Sequence, residues 1–332
     1  MNRVARLPAA ARRELFEETG ARRGMNPAIV EKDFWVCWVL KQLFEDGVLR
    51  EQIVFKGGTT LSKVHKLIDR MSEDIDLVLD WQLLGYERGM EEAPRSATQR
   101  DKLNKAMDKQ AKIYIAGTLA PRLEEMLAGF DGVMVELGAD PNTVHVTYPV
   151  EFSQSQLRPV ILLEIGPKAS WLPSARHAVR PYAADVFPAL FAEPDCEVVA
   201  IDVGRIFWEK VTILHQQAHR PERLPERYSR HYYDLYKLAG SDAGVAAAGD
   251  FETLAQVVAF KMRFYPDKKA RYELAVPGTV RLLPPEEQMG ALRKDYDAMG
   301  EMIFGEIPEF GAVMERLRGL EAGMNRARTG RA

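Results

Sequence analysis

The chain has 332 residues, 46% of them hydrophobic and 28% charged. It is long enough for two domains with substantial cores and too rich in apolar residues to be disordered, collagen-like or coiled-coil. Its 45 Lys+Arg against 48 Asp+Glu give a formal net charge of -3, which removes global basicity as an argument for nucleic acid while leaving room for a basic face. Two cysteines, Cys37 and Cys196, exclude a disulfide framework and a Cys-ligated zinc site, and fit a reducing cytoplasm. The longest apolar runs, Phe34 to Leu40 and Val160 to Ile165, fall well short of a membrane span, and the amino terminus has no apolar signal core, so a soluble cytoplasmic protein without membrane contact is expected.

Residues 8–22 and 27–45 read as helices, each with a proline near the first turn. The period then changes: Ile53-Val54-Phe55 reads as a short buried strand, followed by Lys56-Gly57-Gly58-Thr59-Thr60-Leu61 as a glycine turn opening a new helix. Ile75 to Leu79, interleaved with Asp74, Asp76 and Asp80, reads as the next strand. A polar, Lys-rich segment from about Ser96 to Leu127, with few breakers after Pro94, has the spacing of an inserted helix. Three β-rich runs follow, Gly132 to Leu137, Thr143 to Val150 and Pro159 to Ile165, and an antiparallel extension of the first sheet is the simplest arrangement for them. From Asp202 onward the pattern is helical, with helices expected at about 203–218, 230–240, 250–265, 286–301 and 308–324. A boundary near 195–202 divides an α+β domain, residues 1–200 with a helical insert near 96–127, from a helical domain, residues 201–332.

Two constellations carry chemistry. The Gly57-Gly58 junction brings backbone N–H groups within reach of a phosphate, because glycine removes the Cβ obstacle and a helix start attracts anions. Taken alone it is also an ordinary tight turn with Thr59 as helix cap. Sixteen residues after Gly58 comes Asp74-Ile75-Asp76. Residues two apart on a strand face the same side, so Asp74 and Asp76 present two carboxylates to one point. That placement is costly unless a cation neutralises it, and magnesium, with its preference for oxygen ligands and substrate phosphates, is the natural choice. The second constellation is Glu209-Lys210, on a helix whose Ile206, Ile213 and Leu214 suit inward packing, with Glu209, Lys210 and His215 toward a flank; Asp234 lies on the following helix. Between His219 and Lys237, five Lys/Arg (Arg220, Arg223, Arg227, Arg230, Lys237) face three acids (Glu222, Glu226, Asp234). His215 and His231 lack a third ligand for a metal, Trp35 and Trp38 read as core, and the basic tail Arg326 to Arg331 reads as a frayed end.

Gly57-Gly58 with Asp74-Ile75-Asp76 resembles the core pattern of nucleotidyltransferases with the DNA polymerase β-like fold. That superfamily often adds a third acid on a later strand, for which Glu164, flanked by Leu162-Leu163 and Ile165, is the candidate. The ordered set Lys56-Gly57-Gly58-Thr59-x-Leu61, Arg70-x-Ser72-x-Asp74-Ile75-Asp76-Leu77, Glu209-Lys210 with Leu214-His215, Arg230-His231-Tyr232-Tyr233-Asp234-Leu235 and Asp295-Tyr296-x-x-Met299-x-x-Met302-Ile303-Phe304-Gly305 resembles the AbiEii/AbiGii abortive-infection toxins and the related MenT toxins. The resemblance implies an α+β fold with a mixed or antiparallel sheet, flanking helices and a carboxy-terminal helical domain. It implies Asp74 and Asp76 as ligands of Mg2+ or Mn2+, with Glu164 or Asp234 as the third acid. Gly57, Gly58, Thr59 and Ser72 would stand at the nucleotide, Lys210 on the triphosphate, and Asp234 as base or support.

The implied activity is transfer of a nucleoside monophosphate from a nucleoside triphosphate to an acceptor hydroxyl, with pyrophosphate release. The implied setting is a toxin–antitoxin or phage-defence pair, with a cognate antitoxin encoded nearby and the tRNA 3′ end as acceptor. Arg220, Arg227 and Arg230 are candidates for RNA contact. Transfer to a protein or small molecule, or a non-catalytic GTP- or RNA-binding regulator on the same fold, are the alternatives.

Overall fold

A computed structural model describes residues 1–87, 93, 95–153, 157–169, 171–220 and 223–326. Pro94, Glu222 and all of the basic tail beyond Arg326 lie outside the described residues. The chain divides into two units, Met1–Lys66 with Arg70–Ile201, and Leu67–Asp69 with Asp202–Ala332.

The first unit runs α1 (Asn2–Ala5), α2 (Ala9–Arg23), α3 (Pro27–Glu45), β1 (Ile53–Lys56), α4 (Gly57–Lys63), β2 (Asp74–Leu79), α5 (Ala97–Tyr114), a π-helical turn (Ile115–Leu119), α6 (Ala120–Leu127), β3 (Met134–Leu137), β4 (Thr143–Thr147), β5 (Val160–Gly166), β6 (Ser174–Val179), α7 (Tyr182–Val186) and β7 (Cys196–Ile201). The strands form one seven-stranded sheet in the order β3-β4-β5-β2-β1-β7-β6. Its pairings are mixed. The runs β3, β4 and β5 are antiparallel as expected, but β5 joins β2 in parallel, with Asp74 beside Leu162 and Asp76 beside Glu164. Strand β7 likewise runs parallel to β1, with Phe55 beside Ala200. Strands β6 and β7 are absent from the sequence reading, which set a domain boundary where β7 completes the sheet.

Helix α3 explains the core. Asn26 caps it by accepting from Ala28 N at 2.9 Å, and Pro27 occupies its first turn. Phe34 to Leu40 are buried without a break, as a helix apolar all round must be. Trp35 stacks on Tyr148 and meets Trp38 edge-on, so both tryptophans are core. The same helix buries a charged run. Lys32 donates to the carbonyls of Arg158 at 2.7 Å and Val160 at 2.5 Å and lies 3.7 Å from Glu73, tying α3 to the start of β5 and to β2. Asp33 takes Lys63 at 2.5 Å and Tyr182 N at 2.7 Å, which fastens α4 and α7 to α3. Buried charges persist only when paired and hydrogen-bonded in this way.

The second unit holds α8 (Val203–Ala218), α9 (Ser229–Ala239), α10 (Asp242–Ala248), α11 (Phe251–Phe264), α12 (Glu286–Met299) and α13 (Phe310–Arg326). Asp202 caps α8 through Gly204 N at 2.8 Å. Short α10 is absent from the sequence reading; its Gly244 lies so near the end of α9 that a Cβ there would stand 2.5 Å from Leu238 C. Among the described residues no helix is long and apolar enough to cross a membrane.

Candidate active site

In the first unit, β1 ends at Lys56 and the chain turns at once into α4. Gly57 adopts φ +85°, a conformation that side chains disfavour, and a Cβ there would lie 2.7 Å from Asp76 Cγ and closer still to Oδ2. The turn is therefore bare because the Asp76 carboxylate lies over it. Gly58 is confined in the same way: a Cβ would meet Ser72 Oγ at 2.8 Å and Arg70 Nη2 at 3.0 Å. Thr59 does not cap α4. It is buried, and its hydroxyl donates toward Asp74 O at 2.5 Å and Ser72 O at 3.3 Å, which pins α4 to β2. Its hydroxyl is thus engaged with the backbone of the β2 start.

Ser72, Asp74 and Asp76 are half-buried, whereas Met71, Glu73, Ile75 and Leu77 between and beside them are buried. The alternation puts the serine and both carboxylates on one face of the strand and Glu73 on the other, where it meets Lys32. The parallel register sets exposed Glu164 directly beside Asp76, between buried Leu163 and Ile165. On the other side the antiparallel register sets Lys56 opposite Asp76. One face thus carries Lys56, Asp76 and Glu164 in a row across three strands, with Asp74 and Ser72 along β2. Lys56 and buried Arg70 belong to the motifs that carry the resemblance but had no role assigned from sequence; their positions beside Gly57 and near Ser72 bring them to this corner.

Whether these residues suit a divalent cation can be judged from their donors. Asp74, Asp76 and Glu164 offer carboxylate oxygens alone, the set that hard cations such as magnesium prefer. They share one face, and the bare Gly57 turn leaves the Asp76 carboxylate room. Among the described residues no three His, Cys, Asp or Glu side chains already stand close enough to form a metal cluster. The residues fit a site completed by substrate phosphates, as magnesium sites commonly are.

In the second unit, Lys210 Nζ lies 2.7 Å from Asp234 Oδ2 and 3.2 Å from His231 Nδ1. Both members of the pair are buried, Asp234 completely. The expected flank position fails for His215: α8 is enclosed on nearly all sides, His215 is fully buried, and half-buried Ile213 takes the outward turn instead. Burial pushes the His215 pKa down to about 4, so the ring is neutral. Its Nδ1 accepts from Arg281 N at 3.1 Å, which leaves Nε2–H to donate to Arg271 O at 3.0 Å.

Two of the three arginines expected to meet RNA are held by the protein itself. Arg220 is ion-paired with Asp267. Arg227 occupies a positive-φ turn, donates its N–H to Asp295 at 2.6 Å and sets its guanidinium 3.2 Å from Met302 Sδ. Arg230 is half-buried at the start of α9, and Lys237 pairs with Asp69 at 2.7 Å.

The chain matches the family model described as nucleotidyl transferase AbiEii toxin, type IV toxin–antitoxin system, over residues 38–316. No curated protein matches it. Among solved structures it is similar to MenT4, a nucleotidyltransferase toxin from Mycobacterium tuberculosis H37Rv, with a TM-score of 0.54 and 16% identity over 94% of this chain and 89% of that one. It is also similar to JHP933 from Helicobacter pylori, with a TM-score of 0.41 and 12% identity over 90% and 92% of the two chains. At 16% identity the likeness to MenT4 speaks for the fold alone, whereas the family match spans residues 38–316. This chain belongs to the AbiEii family of nucleotidyltransferase toxins of type IV toxin–antitoxin systems.

Proposed function

We propose that the chain transfers a nucleoside monophosphate from a nucleoside triphosphate to the 3′-terminal hydroxyl of tRNA. The observation that carries the catalytic half of this reading is the Asp76 carboxylate lying over the Gly57 turn, with Asp74 and Ser72 on the same strand face. A triphosphate at that turn has backbone N–H groups on one side and the acid face on the other.

Asp74 and Asp76, with Glu164 beside them, would hold Mg2+ or Mn2+. Such a cation neutralises triphosphate charge in the transition state. Lys210 supplies a compact positive charge for the phosphates. We read Asp234, fully buried in an ion pair with Lys210, as support for that lysine, and Glu164 as the third acid. In the reaction the acceptor oxygen bonds to the α-phosphorus as the bond to the pyrophosphate oxygen breaks, and the acceptor proton passes to a carboxylate of the β2–β5 face.

The tRNA acceptor is supported by the family resemblance. A nucleotide added to the 3′ end removes the hydroxyl that aminoacylation uses, which fits growth arrest in phage defence and the need for a neighbouring antitoxin. Incubation with each α-labelled nucleoside triphosphate, magnesium and total tRNA tests the reading. Label in RNA is expected; label in protein or a small molecule, or none with any acceptor, would overturn the tRNA assignment.

A further inference from the structure

Helix α5, inserted between β2 and β3, has no part in the chemistry above. Between Ala97 and Tyr114 it carries five Lys/Arg (Arg100, Lys102, Lys105, Lys109, Lys112) against two acids (Asp101, Asp108). Helix geometry sorts them. At about 100° per residue, Lys102, Lys105, Lys109 and Lys112 fall within an arc of about 80°, in a row about 15 Å long. All four are exposed. The far side of the helix holds Met107 and Ala111, fully buried, and the stripe continues through Ile115 and Leu119 of the π-helical turn. That anchor, with the Ser96–Gln99 capping box at the start, fixes which face meets solvent.

The row is poorly compensated. Lys105 pairs with Asp101 at 2.7 Å, while Asp108 turns to Lys168 at 2.7 Å. Lys102, Lys109 and Lys112 have no ion-pair partner among the described residues. Like charges three and four residues apart weaken a helix by a few tenths of a kcal/mol each, so the row destabilises α5 until a polyanion covers it. The Asp108–Lys168 bridge also fixes where the row sits. Lys168 follows Glu164 by four residues, no more than about 14 Å of extended chain. Arg220, Arg227 and Arg230 offer no comparable face, since two of the three are held by the protein itself.

We infer that the lysine row of α5 binds the sugar–phosphate backbone of the RNA acceptor. The contact is electrostatic and blind to sequence: it holds the RNA beside the acid face, and it leaves base recognition to other residues. A duplex presents about one negative charge per 1.7 Å of its axis, so a row of this length faces several phosphates. The inference rests on RNA being the acceptor.

The test compares the wild-type chain with Lys102→Ala/Lys109→Ala/Lys112→Ala. Binding of fluorescein-labelled total tRNA is followed by anisotropy from 50 to 200 mM KCl, and transfer is assayed on the same tRNA. The triple variant should bind about 10- to 100-fold more weakly at ~0.1 M salt and lower the slope of log affinity against log salt by about 2 to 3, one contact per lysine. Its KM for tRNA should rise while its KM for nucleoside triphosphate stays within twofold, with a melting temperature equal to or slightly above that of wild type. A wild type that labels tRNA beside a variant with the same slope and KM would overturn the lysine row alone. A wild type that neither binds nor labels tRNA would overturn both the row and the acceptor. Restoration of the slope by the corresponding triple Arg variant would confirm that charge at these positions is what acts.

Discussion

Asp76 and Gly57 occupy the same corner: a Cβ on residue 57 would stand 2.7 Å from Asp76 Cγ, and residue 57 holds φ +85°. Any side chain at residue 57 must push the Asp76 carboxylate aside. Gly57→Ala should cost about 1 to 3 kcal/mol in backbone strain and displace the carboxylate, and a shift of about 1 Å at a reacting centre costs about 100-fold in rate. Gly24→Ala is the control, since Gly24 also has positive φ (+64°) but nothing within 4 Å of its Cβ position. It should lose stability and keep its transfer rate. Equal rate losses in the two variants would mean that strain, not the carboxylate, matters at position 57.

The Lys210–Asp234 pair should behave as a structural unit. Removing one member of a buried ion pair leaves the other uncompensated, at a cost of about 3 to 5 kcal/mol. Asp234→Ala is therefore expected to lower the unfolding midpoint by about 10 °C or more, and Lys210→Met/Asp234→Leu to destabilise less than Asp234→Ala alone. If Asp234→Ala melts like wild type, Asp234 is not buried against Lys210 as described.

Acid should weaken the fold through His215. Burial lowers its pKa in the fold to about 4, whereas the unfolded imidazole protonates near 6.5. Its contribution is thus fully present above pH 6.5 and lost as pH falls toward 4, at up to about 1.4 kcal/mol per pH unit. His215→Gln takes up no proton in this range. Its deficit relative to wild type, measured by urea unfolding, should shrink by about 2 kcal/mol between pH 7.5 and pH 5. A deficit independent of pH would mean that His215 ionises freely in the folded chain.

The fold was legible where periodicity is local and less so where it depends on distant partners. Helices α2, α3 and α8 follow from their apolar spacing and proline or aspartate starts, and β1 and β2 from the glycine turn and the alternation of Asp74 and Asp76. Strand β6 escaped because it is an edge strand with little buried surface, so it lacks an apolar face to read. Strand β7 escaped because its meaning is a parallel pairing with β1, and Phe55 and Ala200 carry no mark of each other. For His215, the periodicity of α8 suggested one inward face, whereas the helix is buried nearly all round and its polar residues are paired inside. At the site, Gly57, Asp74 and Asp76 could be read from spacing and Ser72 only through the family resemblance; Glu164 needed the β2–β5 register to become their neighbour.

The measurement that bears most directly on this chemistry is pyrophosphate release by the wild-type chain and by Asp76→Asn, with nucleoside triphosphate, magnesium and total tRNA, alongside their melting temperatures. The carboxylate that lies over Gly57 is assigned to the reaction and not to the fold, so Asp76→Asn should fall by about 1,000-fold or more, a transition-state loss of about 4 kcal/mol, with a melting temperature within a few degrees of wild type. Pyrophosphate release within a few-fold of wild type, at the same magnesium requirement, would contradict the assignment of the β2 face as the catalytic centre.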